Sequence, residues 1–146
     1  MSLTILIIDD EPYLPHQFAR YLRKHGYEVH TAADGDAGLA EMQHNTIDLV
    51  LLDLRLPKIS GLDLLTQIRK IDQDVPVVML TAYGDVQTAV AAMKLGACDY
   101  LLKGFDLDEL LMVVQRSLET SAMSRELRKL RRERSDNYHF NYIIGH

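Results

Sequence analysis

The sequence predicts an α/β fold, a doubly wound three-layer sandwich with a parallel sheet covered by helices on both faces. Two observations lead there. Five short runs rich in branched residues alternate with five longer segments of helical period, and such alternation builds parallel sheets. The first, third and fourth runs are continuously apolar, as strands buried on both faces must be.

TILII (4–8) is the first strand. The helical segment 12–25 follows, with Leu14, Phe18, Tyr21 and Leu22 at one-face spacing and Gly26 as its stop. EVHTA (28–32) is the second strand, and 36–44, carrying Leu39 and Met42, the second helix. IDLVLL (47–52) is the longest apolar strand. Segment 60–71 opens on Ser60, a good N-cap, and sets Leu64, Leu65, Ile68 and Ile71 on one side. VPVVML (75–80) precedes a helix over 85–95, whose Val86, Val90 and Met93 form a stripe ending at Gly96. CDYLL (98–102) is the fifth strand. The helix 106–119 opens on Asp106 with Glu109 three residues later, an acidic variant of the capping box, and carries Leu107, Leu110, Leu111, Val114 and Leu118.

At 146 residues and 47% hydrophobic, the chain is one domain plus a tail. No apolar run approaches the roughly 20 residues of a membrane span, so a cytoplasmic location is expected. Cys98 is the only cysteine, which excludes an intramolecular disulfide and a thiolate metal cluster; in its apolar setting it is expected to be a small buried thiol. The net charge of −5 is uneven: residues 1–124 hold 10 Lys/Arg against 18 Asp/Glu, residues 125–146 hold 6 against 3.

In an open parallel sheet, functional groups collect at the carboxyl ends of the strands. Here the first strand ends on Asp9 and Asp10, the third on Asp53, the fourth on Thr81 and the fifth on Lys103. Three carboxylates at one sheet edge repel unless protonated or neutralised by a cation. All-oxygen ligands favour a hard ion, and Mg²⁺ takes one or two carboxylates together with waters and phosphate oxygens. Taken alone, Asp9 and Asp10 also suit capping of the following helix; joined to Asp53, Thr81 and Lys103, they read as half of a Mg²⁺ site. Asp53, beside such a metal, has the chemistry of a nucleophile towards phosphorus. Lys103 would act as a point charge on phosphate oxygens, and Thr81 would offer them one hydroxyl.

LIIDDEP (6–12), LLDLRLPKISGLDLL (51–65), LTAYGD (80–85) and DYLLK (99–103), in this order and spacing, resemble the receiver domain of two-component response regulators over about residues 4–120. The resemblance implies a flavodoxin-like sheet of order 2-1-3-4-5. It makes Asp53 the phosphoacceptor for a sensor histidine kinase, with Asp10 a direct Mg²⁺ ligand, Asp9 a ligand through water and the Arg55 backbone carbonyl a further ligand. Thr81 and Lys103 match the phosphate-sensing pair, and Tyr100 the aromatic switch position; a structural Tyr is the alternative there. One departure stands out: the family pattern has a cis-proline after the lysine, where this chain has Gly104. The aim of Lys103 and the lifetime of the phosphorylated state depend on that loop. The expected moving parts are AYGD (82–85), helix 85–95, the surface around Tyr100 and helix 106–119. Val86, Ala89 and Ala92, the outer side of helix 106–119, or the linker helix would then form a homodimer or effector face.

RELRKLRRER (125–134) is helix-compatible, and Met123, Leu127 and Leu130 are spaced to extend the last helix as a short coiled-coil seam. Residues 1–120 are thus read as the receiver domain and 121–137 as a helical linker. NYHFNYIIGH, at 137–146, resembles the entry to the AAA+ ATPase domain of sigma-54-dependent, nitrogen-regulation-type transcriptional activators, so that 138–146 would begin that domain. The chain has neither a phosphate-binding Walker loop nor a DNA-reading helix pair. ATPase and DNA-binding output would therefore belong to other parts of the parent protein, and direct nucleic-acid binding by this chain is not expected. An aspartyl-nucleophile phosphatase of the haloacid-dehalogenase type would need a second Asp where Arg55 stands. A flavin module would need a Gly/Ser/Thr-rich loop where DDEP stands. A phosphorylation-independent interaction domain is the remaining rival, although every part of the acidic site is here.

Overall fold

The computed structural model describes residues 2–82 and 85–144, with side chains described through residue 134. Five parallel strands, β1 (Thr4–Ile8), β2 (Glu28–Ala32), β3 (Leu49–Asp53), β4 (Val77–Thr81) and β5 (Asp99–Leu102), lie in the order β2-β1-β3-β4-β5. The helices α1 (Leu14–Lys24), α2 (Gly35–His44), α3 (Gly61–Ile71), α4 (Val86–Lys94) and α5 (Leu107–Ile144) alternate with them. All residues of β1, β3 and β4 are buried, which is why these runs lack a polar face. Two hydrophobic layers result. One joins Ile5, Ile7, Leu49 and Leu51 to Phe18 and Leu22 of α1 and to Leu110 and Val114 of α5. The other joins Leu6, Ile8, Val50 and Leu52 to Leu64, Leu65 and Ile68 of α3. Each fully buried leucine contributes roughly 1.5–3 kcal/mol.

Side-chain capping fixes three helix starts. The side chains of Asp34, Ser60 and Asp106 accept from the amides of Ala37, Asp63 and Glu109, at 2.8, 3.1 and 2.8 Å. Glu11, rather than Asp9 or Asp10, serves α1: its Oε2 accepts from Tyr13 and Leu14.

The third and fourth strands begin two residues later than expected and end one later, so Asp53 and Thr81 are themselves ladder residues. Other expectations reverse. On α4 the stripe Val86, Val90 and Met93 faces solvent, whereas Ala89 and Ala92 are fully buried. Ala89 and Ala92 therefore cannot belong to a docking face: small residues let α4 lie close to the sheet. Ile71 is exposed rather than inward. Cys98 is also exposed, with its neighbour Ala97 taking the buried position.

The last helix extends without a break from Leu107 to Ile144, across the expected linker at 121–137. Met123, Leu127 and Leu130 are exposed along it. The backbone of the expected second-domain entry at 138–146 continues this helix as far as Ile144, while its side chains and residues 145–146 lie outside the described residues. Among the described residues no helix is long and apolar enough to cross a membrane.

Gly61 packs its α-carbon on the strand that carries Asp53. A Cβ there would stand 2.6 Å from Leu54 Cα and 2.7 Å from the Asp53 carbonyl oxygen, backbone atoms that cannot step aside. Gly61→Ala is expected to cost about 1–3 kcal/mol, read as a lower denaturation midpoint at unchanged slope.

Candidate functional site

The chain crosses over between β2 and β3, so β1 and β3 become neighbours with their connections leaving to opposite faces. A crevice opens at the carboxyl end of such a pair. Asp9, just past β1, and Asp53, the last residue of β3, stand on its two sides and are both buried, 2% and 4% exposed. Asp10 is exposed, yet carboxylate oxygens of Asp9, Asp10 and Asp53 all lie within 4.8 Å of one another. The three predicted acidic residues therefore form one cluster.

Lys103 closes the cluster from β5. Its Nζ is 3.3 Å from Asp9 Oδ2 and 3.3 Å from Asp53 Oδ2. Its backbone N–H donates to the Thr81 carbonyl at 2.6 Å, which extends the β4–β5 ladder to the mouth of the site. The peptide after Lys103 is trans, and Gly104 has φ +106, a left-handed value that glycine adopts without a Cβ penalty. The glycine thus turns the chain while Lys103 still points inward. Thr81 is fully buried, and its hydroxyl donates to the Leu101 carbonyl at 3.4 Å. Tyr100, on β5, is half-buried against the layer containing Leu6 and Leu52.

The electrostatics are unbalanced without a further cation. Burial, aided by the charge of Asp9, pushes the Asp53 carboxyl up to about 6 against the opposing pull of the Arg55 N–H and Lys103. Burial alone would lower the Lys103 ammonium, but Asp53 and Asp9 outweigh it and raise the pKa. Asp9 Oδ1 accepts from the Glu11 N–H at 3.0 Å and Asp53 Oδ1 from the Arg55 N–H at 3.2 Å. Among the described residues Asp9 Oδ2 is buried without a hydrogen bond, its neighbour being the Lys103 ammonium. A buried acceptor of this kind is costly unless a cation meets it.

The Arg55 side chain, absent from the sequence-based site, reaches across to the β4–α4 connection. Its Nε and Nη2 donate to Asp85 Oδ2 and Oδ1 at 3.0 and 2.8 Å. No period or motif announces a pair 30 residues apart. Tyr83 and Gly84 of the AYGD loop lie outside the described residues.

The family model described as the response regulator receiver domain matches residues 5–115. The chain belongs to the response regulator receiver domain family. Relatives of the sigma-54 activator type expected from the sequence are among those it matches. Regulatory protein AtoC of Escherichia coli (strain K12) is 37% identical over 140 residues, covering 96% of this chain and 30% of AtoC. Nitrogen assimilation regulatory protein NtrX of Azorhizobium caulinodans is 41% identical over 133 residues, covering 90% of this chain and 29% of NtrX. The chain thus spans about a third of the length of these curated relatives. A crystal structure of NtrX from Brucella abortus superposes with TM-score 0.86 at 39% identity, covering 89% of this chain and 30% of that one. A CheY-like receiver domain from Methanospirillum hungatei superposes with TM-score 0.81 at 28% identity, covering 85% of this chain and 99% of that one. Receiver domains are signalling modules that switch by phosphorylation and partner with sensor kinases, and the anticipated sheet order is the observed one.

Proposed function

We propose that Asp53 accepts a phosphoryl group from a sensor histidine kinase and that the resulting acyl phosphate switches the domain. The observation that carries this reading is the buried Asp53 carboxylate held between Lys103 Nζ and the Arg55 N–H, at a topological switch point and beside a second buried carboxylate. As the P–N bond of the phosphohistidine breaks, an Asp53 oxygen forms the new P–O bond and the histidine nitrogen leaves with the electron pair. Hydrolysis of the adduct returns inorganic phosphate and the free carboxylate.

Asp9, Asp10 and Asp53 fit a hard divalent ion: their donors are all oxygen, they converge, and Asp9 Oδ2 is buried with no hydrogen bond among the described residues. They would hold Mg²⁺ with the Arg55 carbonyl. When bound, that ion supplies positive charge that neutralises phosphoryl oxygens. Lys103 contributes a second positive charge from the β5 side. The Thr81 hydroxyl, leaving its long bond to the Leu101 carbonyl, would donate to a phosphoryl oxygen. Tyr100, only half-buried, would turn inward as Thr81 moves. The exposed Val86, Val90 and Met93 of α4, with Leu102 and Met112, provide an apolar surface for a second copy or an effector. Exposed Met123, Leu127 and Leu130 offer a second such seam. In the parent protein the output, by AAA+ and DNA-binding domains acting with sigma-54, would lie beyond this chain. The switch would operate in the cytoplasm.

Incubation with acetyl phosphate tests the reading. Intact mass should show one phosphoryl adduct with Mg²⁺ and none in excess EDTA. Equal labelling under both conditions would sink the assignment of the acidic cluster.

A further inference from the structure

Arg55 and Asp85 connect the loop that follows Asp53 to the start of α4. Arg55 is placed by two backbone contacts: its N–H donates to Asp53 Oδ1 at 3.2 Å, and it pairs with Ser60 in an isolated antiparallel bridge. Its guanidinium grips the Asp85 carboxylate in a two-point fork; the Arg55 side chain is 76% exposed and that of Asp85 only 13%. The fork is a strong, geometrically selective form of ion pair.

Asp85 is also the N-cap of α4, and Asp is among the best capping residues. Yet its side chain makes no cap hydrogen bond. The Asp34, Ser60 and Asp106 side chains all accept from the third amide of their helices; Asp85 is turned towards Arg55 instead, on a backbone at φ −97, ψ 23 rather than the extended one of Asp34 and Ser60, so capping requires its backbone to extend as its side chain swings. One carboxylate therefore has two competing partners, the guanidinium and the Thr88 amide, the third of α4.

We propose that Arg55 and Asp85 form a latch that the phosphoryl group opens. Resting on Asp53 as the phosphoacceptor, this goes further by naming what couples Asp53 to α4. Phosphorylation adds a dianion to the residue whose carboxylate already accepts from the Arg55 N–H. The guanidinium then has a second anion within reach, the fork to Asp85 weakens, and the freed Asp85 carboxylate turns to cap α4. Asp85 is a positioning residue: it acts through Arg55 and through the helix.

Hydrogen exchange of the Thr88 amide, in the intact chain, separates this from an ordinary surface ion pair. In unphosphorylated Arg55→Ala, Asp85 is free to cap, and exchange at Thr88 should slow roughly fivefold, the equivalent of one N-cap. In Asp85→Ala neither latch nor cap survives, and exchange at Thr88 should be at least as fast as in the wild type. The phosphorylated wild type should resemble Arg55→Ala, with Asp85→Asn, which keeps a capping oxygen but loses the ionic fork, also slowed. Faster exchange in both Arg55→Ala and Asp85→Ala would overturn the latch, as would a wild-type adduct that leaves Thr88 unchanged. A wild type that takes up no phosphoryl group overturns the phosphoacceptor reading instead, a result visible by mass in the same samples.

Discussion

Asp53→Asn is expected to abolish the phosphoryl adduct and, at the same time, to make the metal-free fold more stable. An amide cannot form the acyl phosphate, so labelling falls to background. The stability gain follows from proton linkage. Asp53 has its pKa raised from 3.8 to about 6, burial being the main cause and the Asp9 charge adding to it, so the folded chain binds this proton more tightly than the unfolded chain does. The stabilisation is fully present below the unfolded pKa and is lost as pH rises through about 6. Above that pH the ionised carboxylate weakens the fold by about 1–3 kcal/mol, a burden the neutral amide does not carry. In EDTA the variant should melt roughly 5 °C higher than the wild type at pH 8, and the gap should narrow towards pH 4. Mg²⁺ should narrow it at pH 8 as well. Equal melting temperatures at pH 8 in EDTA would contradict the electrostatic account of the site.

Lys103→Ala should have the opposite effect on stability and still impair the reaction. Lys103 is the ammonium that meets Asp9 and Asp53 together, and its removal leaves two buried carboxylates facing each other. Breaking a buried pair from one side is costly. Because the Lys103 side chain is 25% exposed, the loss should sit at the lower end, about 2–4 kcal/mol at pH 8 in EDTA. Phosphorylation should slow roughly 100-fold through loss of one positive charge at the transferred group. The double variant Lys103→Ala/Asp53→Asn should recover much of the stability, since only one buried carboxylate remains. A double variant whose stability is simply the sum of the two single effects, the gain of Asp53→Asn and the loss of Lys103→Ala, would mean that Lys103 and Asp53 do not interact.

Much of this is legible in the amino-acid sequence alone. The continuously apolar runs around Ile7, Leu51 and Val78 are what strands covered on both faces require, and strand-end positions brought Asp9, Asp53, Thr81 and Lys103 to one edge. What periodicity could not read was which face of α4 is buried. A stripe of Val86, Val90 and Met93 looks like a core stripe, but close packing against the sheet uses the small Ala89 and Ala92. Cys98 misled for a related reason: an apolar neighbourhood in sequence does not fix which residue at a strand's start points inward. The Arg55–Asp85 fork joins two loops, and no local pattern encodes such a meeting. Glu11 as the cap of α1 was hidden among three adjacent acids, of which only geometry distinguishes the one that reaches the helix amides.

The most direct test is to find which atom carries the phosphoryl group. After labelling with acetyl phosphate and Mg²⁺, borohydride reduction converts an aspartyl phosphate to homoserine, and peptide sequencing by mass spectrometry locates it. Homoserine at position 53, and at no other aspartate, is the predicted result. Homoserine at Asp9 or Asp10, or a reduction-resistant phosphoester on Thr81, would contradict the assignment of Asp53 as the phosphoacceptor.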